Sequence, residues 1–344
     1  MSGRRRVTLR ETEARPYLCR ASARRQEQQV PHRLDAEVIL PFTPSGIYSA
    51  QWIPTDADGR IDRTSLAAHM ELERRAGIAG VLALGSTGEF PHFAVAERKA
   101  ALDVIAELAA PLAVLANVSH LSPRTAIDLG RHARSLGVPA VALMPPPFYP
   151  VSQADMLAYF LHVADAVGLP VMLYNFPELA GKRIELATVA AFADRGPMLA
   201  IKQSGGEFDY HRELVALGRE KGFVVMSGAD ARLPEAFALG AAGCIGGLVN
   251  IVPELMVHID RVCRRGEPGD VTVADEAMRR LGRILDQLTF PLNVAAGIEA
   301  RGFSPGVPKS VVSPESRALY DKIVGETRAL LEQHGLSLAG PAGQ

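Results

Sequence analysis

From residue 46 onward, the chain alternates between short apolar runs and longer segments in which apolar residues recur with helical spacing. Each short run is almost continuously apolar, which is typical of strands that are covered by helices on both faces of a parallel sheet. Most of the longer segments end at or near a glycine, a common helix stop. The predicted strands cover residues 46–53, 80–86, 111–119, 140–145, 169–175, 198–204, 223–229 and 243–249.

Eight such strand–helix units predict an α/β fold of the (β/α)₈ TIM-barrel type. A doubly wound open sheet is the competing architecture, but no GxGxxG follows the first predicted strand. After residue 250 the pattern stays helical and no linker rich in Gly, Ser or Pro intervenes. We therefore predict a barrel over residues 46–250 and additional C-terminal helices over 251–344, packed on the barrel as one structural unit.

Residues 1–45 differ from the rest because they are rich in Arg and Gln and lack sustained apolar periodicity. This composition predicts a disordered extension, and no apolar stretch of a secretory signal follows its basic start. A targeting segment and a sequence upstream of the true start are the alternatives. We expect a cytoplasmic protein.

Composition narrows the function classes. The 344 residues include 37 basic and 38 acidic side chains, for a formal net charge of −1, which does not suggest a nucleic-acid or membrane-surface partner. No apolar run is long enough for a membrane span. Cys19, Cys244 and Cys263 are widely spaced, which fits a reducing compartment and argues against a disulfide framework or a zinc site.

A lysine ends the sixth predicted strand. Lys202 follows the apolar run 198–201, and a buried ammonium without a partner is costly. A first solvated residue after the strand is the simple interpretation. The alternative is an active-site lysine, because the chemistry of TIM barrels gathers at the C-terminal ends of the strands.

Other polar or flexible residues follow the neighbouring strands. Individually each has a structural explanation: a glycine turn, a buried tyrosine or a rigid proline loop. Their convergence on one rim favours a binding site. The segments are GSTGE (85–89), PFY (147–149), YNFP (174–177), SGAD (227–230) and GCIGG (243–247).

The sequence is less favourable for two other kinds of site, a phosphate site and a site with histidine ligands. The glycines near the last strands could cradle a phosphate, but a strand-end lysine with two tyrosines makes this less favourable. His92, His120, His162 and His258 are better explained as surface or core residues than as ligands, although His92 and His120 follow strands and could line a pocket. No metal site is predicted.

In this order, the motifs resemble those of the dihydrodipicolinate synthase / N-acetylneuraminate lyase family of pyruvate-dependent class I aldolases. The resemblance covers residues from about 46 to 335. It implies a lyase that forms a Schiff base with a 2-oxo acid such as pyruvate, needs no cofactor beyond the covalent imine, and assembles as a homodimer or homotetramer.

The resemblance also assigns roles to individual residues. Lys202 would form the imine, Tyr174 would shuttle the proton, and Ser86 would link Tyr174 to Tyr149, which reaches across a dimer interface in many members. The pyruvate carboxylate would lie against Ser86 and Thr87, with Gly228 and the Ile245 backbone lining the pocket. Burial of Lys202 would favour its neutral, nucleophilic amine.

One position departs from the synthase branch. Synthases carry an arginine two residues after the proline of YNxP, where this chain has Leu179, which cannot bind a carboxylate. The sequence therefore favours lyase-like cleavage of a 4-hydroxy-2-oxo acid or a 2-keto-3-deoxy sugar acid. Synthase-like condensation, dehydration of a 2-keto-3-deoxy acid and non-catalytic binding of a 2-oxo acid stay open as alternatives.

Overall fold

A computed structural model describes residues 42–336 of the chain. Eight parallel strands form a closed barrel in sequence order, with β8 pairing back to β1. The extension predicted for residues 1–45 lies almost entirely outside the described residues, so that prediction stays open. The strands are β1 Gly46–Ala50, β2 Gly80–Ala83, β3 Ala113–Asn117, β4 Ala140–Leu143, β5 Val171–Asn175, β6 Met198–Gln203, β7 Val224–Ser227 and β8 Gly243–Gly246.

The described helices surround the barrel and extend beyond it. They are α1 Arg63–Ala76, α2 Val95–Ala109, α3 Pro123–Ser135, α4 Gln153–Val167, α5 Pro177–Ala180, α6 Leu186–Arg195, α7 Phe208–Lys221, α8 Leu233–Leu239, α9 Pro253–Cys263, α10 Thr272–Leu285, α11 Leu292–Ala300 and α12 Pro314–Gln333. No helix in this part of the chain is long and apolar enough to cross a membrane.

The barrel is confirmed, and all eight strands lie within the predicted runs. All eight strands are shorter than the runs, and in every run except the fifth the last residues turn into the loops of the C-terminal rim. Helix α9 begins at residue 253, yet it follows β8 directly and is the eighth helix of the βα repeat. The helices beyond the repeat are therefore α10, α11 and α12.

Alternate residues of each strand fill the barrel interior, because successive side chains of a strand point to opposite faces. The interior cluster includes Tyr48, Met172, Ala200, Met226 and Ile245, all buried. The same alternation places Tyr174 and Lys202, two positions after Met172 and Ala200, inside the barrel at its C-terminal end.

Gly80, at the start of β2, makes room for the large side chain of Tyr48, which lies inside the barrel at its N-terminal end. A Cβ atom at Gly80 would lie 2.3 Å from the Tyr48 ring and 2.4 Å from the Ala113 carbonyl oxygen. Only glycine fits between these groups. Tyr48 thereby fills the N-terminal end, and the open space of the barrel lies at the C-terminal end.

The segment between α11 and α12 packs against the loop that follows β1. The Trp52 indole N–H donates to the Pro305 carbonyl at 2.8 Å, and the Val307 N–H donates to the Thr55 carbonyl at 2.7 Å. Helix α12 then begins at a Ser313 cap, whose hydroxyl accepts the Ser316 N–H. These contacts fix the C-terminal helices beside the rim where the predicted site lies.

Candidate active site

Lys202 and Tyr174 are register partners on the adjacent strands β6 and β5. Lys202 is 4% exposed and Tyr174 is 1% exposed, so the simple interpretation of Lys202 as a solvated strand-end residue does not hold. The Lys202 Nζ donates to the Tyr174 hydroxyl at 3.1 Å and lies 4.2 Å from the centroid of the tyrosine ring. The register pairing brings an amine and a phenol together in a buried environment.

Ser86 completes a chain of three polar groups. Its hydroxyl lies 3.2 Å from the Tyr174 hydroxyl, and either oxygen can donate. Ser86 sits in the turn after β2, where the Glu89 N–H donates back to the Ser86 carbonyl at 3.0 Å. A phenol with a partner on each side can pass a proton in either direction.

A cavity of about 430 Å³ opens over this chain of groups at the C-terminal rim. Lys202, Tyr174, Thr87, Gly228 and Ile245 all line it, so the structure brings together five of the seven sequence-predicted site residues in one cavity. Ser86 lies at its edge through the bond to Tyr174 and lines a neighbouring cavity of about 450 Å³. The space suits a small organic acid and a short chain beyond it.

Gly228 has a packing role in addition to its place on the cavity wall. A Cβ atom at this position would lie 2.2 Å from the Ser204 hydroxyl oxygen and 2.9 Å from the Ser204 Cα. The chain after β7 can therefore approach the chain after β6 only with glycine here. This close approach shapes the wall next to Lys202.

Two amides beside the reactive pair hold the strand ends in place. The Asn175 side-chain amide donates to Gln203 Oε1 at 2.7 Å, and its carbonyl oxygen accepts the Ile184 N–H at 2.9 Å. Gln203 also donates to the Ser204 carbonyl. Asn175 in the YNFP motif and Gln203, the residue after Lys202, thus fix the loops around Tyr174 and Lys202.

Asp230 brings a carboxylate to the same cavity. Its Oδ2 accepts the Leu248 N–H at 2.9 Å, which ties the loop after β7 to the loop after β8. Burial raises the pKa of Asp230 above its ordinary value, while the Leu248 N–H and the positive charge of Lys202 act in the opposite direction. The Lys202 amine therefore has an acidic group within electrostatic range.

Tyr149 lies apart from the other predicted residues within one protomer. Its side chain is 61% exposed and packs edge-to-face on Phe148, which is 84% exposed, with ring centroids 4.8 Å apart. The structure describes no bond between Tyr149 and Ser86, so the predicted link within the proton relay stays a prediction about an assembled form. Leu179 is half exposed and lines the cavity next to Ser86.

Several cavity-lining residues were missing from the sequence prediction. Phe176 lies two residues after Tyr174 in the YNFP motif, and the two rings stack with centroids 6.3 Å apart. Its position in the motif could have indicated that it lines the cavity. Phe290 and Asn293 come from the connection between α10 and α11 and from α11 itself. No local pattern marks them, because their place depends on how the C-terminal helices pack.

The described histidines and acidic residues outside the cavity do not indicate a metal site. His92 and His120 line the neighbouring cavity next to Ser86, which agrees with the expectation that they lie near a pocket. Burial lowers the pKa of His120. Within residues 42–336, no group of three or more His, Cys, Asp or Glu side chains is arranged to hold a metal ion.

Comparisons with known proteins identify the family of the chain. The model of the dihydrodipicolinate synthetase family matches residues 43–326. The “Putative 2-dehydro-3-deoxy-D-gluconate aldolase YagE” of Escherichia coli (strain K12) is 34% identical over 215 residues, which cover 61% of this chain and 71% of YagE.

Solved structures have the same fold. The crystal structure of Escherichia coli K12 YagE in complex with pyruvate aligns with a TM-score of 0.78 at 29% identity, covering 85% of this chain and 99% of YagE. The dihydrodipicolinate synthase of Acinetobacter baumannii complexed with pyruvate aligns with a TM-score of 0.77 at 25% identity, covering 86% of this chain and 100% of that protein. The chain belongs to the dihydrodipicolinate synthetase family and is a carbon–carbon lyase of the aldolase type.

Proposed function

We propose that this enzyme is a Schiff-base-forming aldolase that releases pyruvate from a 4-hydroxy-2-oxo acid or a 2-keto-3-deoxy sugar acid. Two contacts support the proposal most directly. The Lys202 amine lies 3.1 Å from the Tyr174 hydroxyl, and that hydroxyl lies 3.2 Å from the Ser86 hydroxyl. An imine-forming amine needs a neighbouring acid–base group, and this arrangement supplies one.

The reaction begins with attack of the Lys202 Nζ on the keto carbon of the bound acid. Loss of water gives a protonated imine, which withdraws electrons from the adjacent carbons. Tyr174 takes the proton from the C4 hydroxyl as the C3–C4 bond breaks. The bonding electrons form an enamine, and an aldehyde leaves.

The second half returns the enzyme to its starting state. The enamine takes a proton at C3, Tyr174 being the donor in reach, and water then hydrolyses the imine to pyruvate and the free amine. The substrate carboxylate is bound by the turn that carries Ser86 and Thr87, and Thr87 lines the same cavity as Gly228, Ile245 and Lys202. No external cofactor takes part in these steps.

Leu179 favours cleavage over a synthase reaction. Its half-exposed aliphatic side chain lies in the cavity next to Ser86, and it offers no donor to a second carboxylate. The pyruvate complexes of YagE and of the Acinetobacter enzyme support a 2-oxo acid as the small-molecule partner. The exposed Phe148–Tyr149 pair supports a homo-oligomer in which Tyr149 enters the site of a neighbouring protomer.

Trapping with borohydride tests the proposal. The protein is incubated with pyruvate and sodium borohydride and weighed by mass spectrometry, with Lys202→Ala as the test variant and Lys221→Ala, a surface lysine paired with Asp194, as the matched control. We expect a stable adduct in the wild type and in the control, and none in Lys202→Ala. Absence of an adduct in the wild type with every 2-oxo acid offered would refute the proposal.

A substrate panel separates the remaining activities. Release of pyruvate from 2-keto-3-deoxy acids identifies the aldolase, and loss of water without carbon–carbon cleavage identifies a dehydratase. Condensation of pyruvate with aspartate semialdehyde identifies a synthase. An adduct without turnover of any substrate identifies a binding protein.

A further inference from the structure

The turn between β2 and α2 is held in a strained conformation at both ends. Leu84 has a φ of 57° and Glu89 a φ of 55°, a left-handed conformation that side chains other than glycine seldom adopt. Such residues keep this conformation only where surrounding contacts fix it. Ser86 and Thr87 lie between them, so the contacts at Leu84 and Glu89 determine where these two hydroxyls point.

One buried polar side chain holds each end. The Asn117 amide donates to the Leu84 carbonyl at 2.7 Å. At the other end, the Lys309 Nζ donates to Glu89 Oε2 at 2.7 Å and to the Ile53 carbonyl at 2.8 Å. Lys309 is 220 residues from Glu89 in the chain and belongs to the segment between α11 and α12.

The Lys309–Glu89 pair is sequestered from solvent. Each side chain is 7% exposed, and the lysine amine lies 4.9 Å from the Trp52 ring centroid and 5.5 Å from that of Phe93. Burial lowers the pKa of Lys309, and the Glu89 carboxylate acts against that effect. Removing one member of a buried ion pair leaves the other charge uncompensated and costs stability, so we expect the Glu89 carboxylate to lose its place when Lys309 is replaced.

We infer that Lys309 is a positioning residue for the carboxylate site, holding the Ser86–Thr87 turn in its binding conformation through Glu89. This inference rests on the proposed function, in which that turn binds the carboxylate of the 2-oxo acid. Lys309 touches none of the reacting atoms, so its loss affects binding of the acid more than the rate of imine formation once the acid is bound.

The test compares Lys309→Met, Lys309→Arg and a control, Lys322→Met, which removes an exposed lysine on α12 that donates to Gln287. Rates of borohydride trapping are measured over a range of pyruvate concentrations. We expect Lys309→Met to raise the half-saturating pyruvate concentration about 10- to 100-fold, as for loss of a hydrogen bond to a charged group, with a maximal trapping rate within about threefold of wild type. Lys309→Arg restores most of the affinity, and Lys322→Met changes nothing.

Hydrogen–deuterium exchange gives a second readout that does not depend on chemistry. Peptides covering residues 84–90 should exchange faster in Lys309→Met than in wild type or Lys322→Met. The inference is overturned when Lys309→Met keeps both wild-type protection and wild-type half-saturation, or when binding and maximal rate fall together without rescue by arginine.

Two further outcomes are also decisive. If Lys309→Met does not fold, Glu89→Gln replaces it; a rise in half-saturation there supports the inference, and an unchanged value overturns it. If the wild type traps no 2-oxo acid, the proposed function fails, and the exchange of residues 84–90 alone decides whether Lys309 positions the turn.

Discussion

The Tyr174 hydroxyl lies 3.1 Å from the Lys202 amine, and both side chains are almost completely buried. A phenol in this position can serve the amine during imine formation and the substrate during bond cleavage. The two functions are separable, because imine formation can proceed with water as the proton carrier, whereas cleavage needs a base held at the substrate hydroxyl.

Tyr174→Phe should therefore lower the turnover of the cleavage reaction by about 10²- to 10⁴-fold, the usual contribution of a general acid–base group. Borohydride trapping of pyruvate should fall less. Tyr320→Phe is the matched control, since the Tyr320 hydroxyl donates to Glu299 among the C-terminal helices. Steady-state assay of pyruvate release checks both, and turnover of Tyr174→Phe within threefold of wild type would exclude the proton shuttle.

Mixing two inactive variants tests the cross-protomer role of Tyr149. Lys202→Ala lacks the amine but keeps Tyr149, whereas Tyr149→Ala lacks the tyrosine but keeps Lys202. If Tyr149 enters a neighbouring site, co-refolded mixtures contain sites that combine an intact Lys202 with an intact Tyr149 from the partner. We expect activity to rise above that of either variant; no rise in a mixture shown by mass measurement to contain hetero-oligomers would place Tyr149 outside the relay.

Leu179→Arg should widen the substrate range toward aldehydes that carry a carboxylate. The new guanidinium would lie in the cavity next to Ser86 and offer paired donors, worth about tenfold in kcat/KM for such an aldehyde. Leu179→Met keeps the apolar character and serves as the control. Competition between aspartate semialdehyde and an uncharged aldehyde measures the change in preference. Equal effects of the two substitutions would mean that this position does not recognise the carboxylate of the aldehyde.

Stability should depend on the ionisation of Glu73 on α1. Its side chain is fully buried, neither carboxylate oxygen makes a hydrogen bond of good geometry, and burial raises its pKa from 4.5 to about 8 against the opposing effect of the nearby Ser49 and Gln51 side chains. A raised folded-state pKa means that the stability associated with the neutral acid is fully present below pH 4.5 and is lost as the pH rises through 8. Glu73→Gln, which is neutral at every pH, should remove this dependence.

The neighbouring His69 contributes a pH dependence of stability with the opposite sign, and it sets the lower limit of the pH range for the measurement. Burial lowers its pKa from 6.5 to about 4, so its contribution is lost only as the pH falls below 6.5. Urea unfolding between pH 6.5 and 8 should then show the wild type losing about 1 to 2 kcal/mol, and Glu73→Gln losing much less. Glu71→Gln, at an exposed position of the same helix that pairs with Arg74 and Arg75, should keep the wild-type slope. Equal slopes in all three proteins would contradict the prediction.

The sequence predicted the barrel and a polar cluster at its rim from local pattern, whereas the roles of the individual site residues come from the family resemblance and stay predictions. The alternation of strand side chains is enough to place Lys202 and Tyr174 inside, and their strands are neighbours in sequence order. The left-handed backbone of Leu84 and Glu89 could not be predicted, since neither is a glycine and each contacts a side chain that is distant in sequence. Phe290 and Asn293 were missed for a similar reason, as the packing of α11 decides their position.

The contact between Glu89 and Lys309 joins one of the earliest loops of the barrel to one of the last segments of the chain. During synthesis, Ser86, Tyr174 and Lys202 all leave the ribosome before Lys309 does. A nascent barrel can therefore contain its amine and phenol while the turn for the carboxylate is still untethered. If Lys309 positions the turn as proposed, affinity for the keto acid also reports whether the segment between α11 and α12 has docked on the barrel.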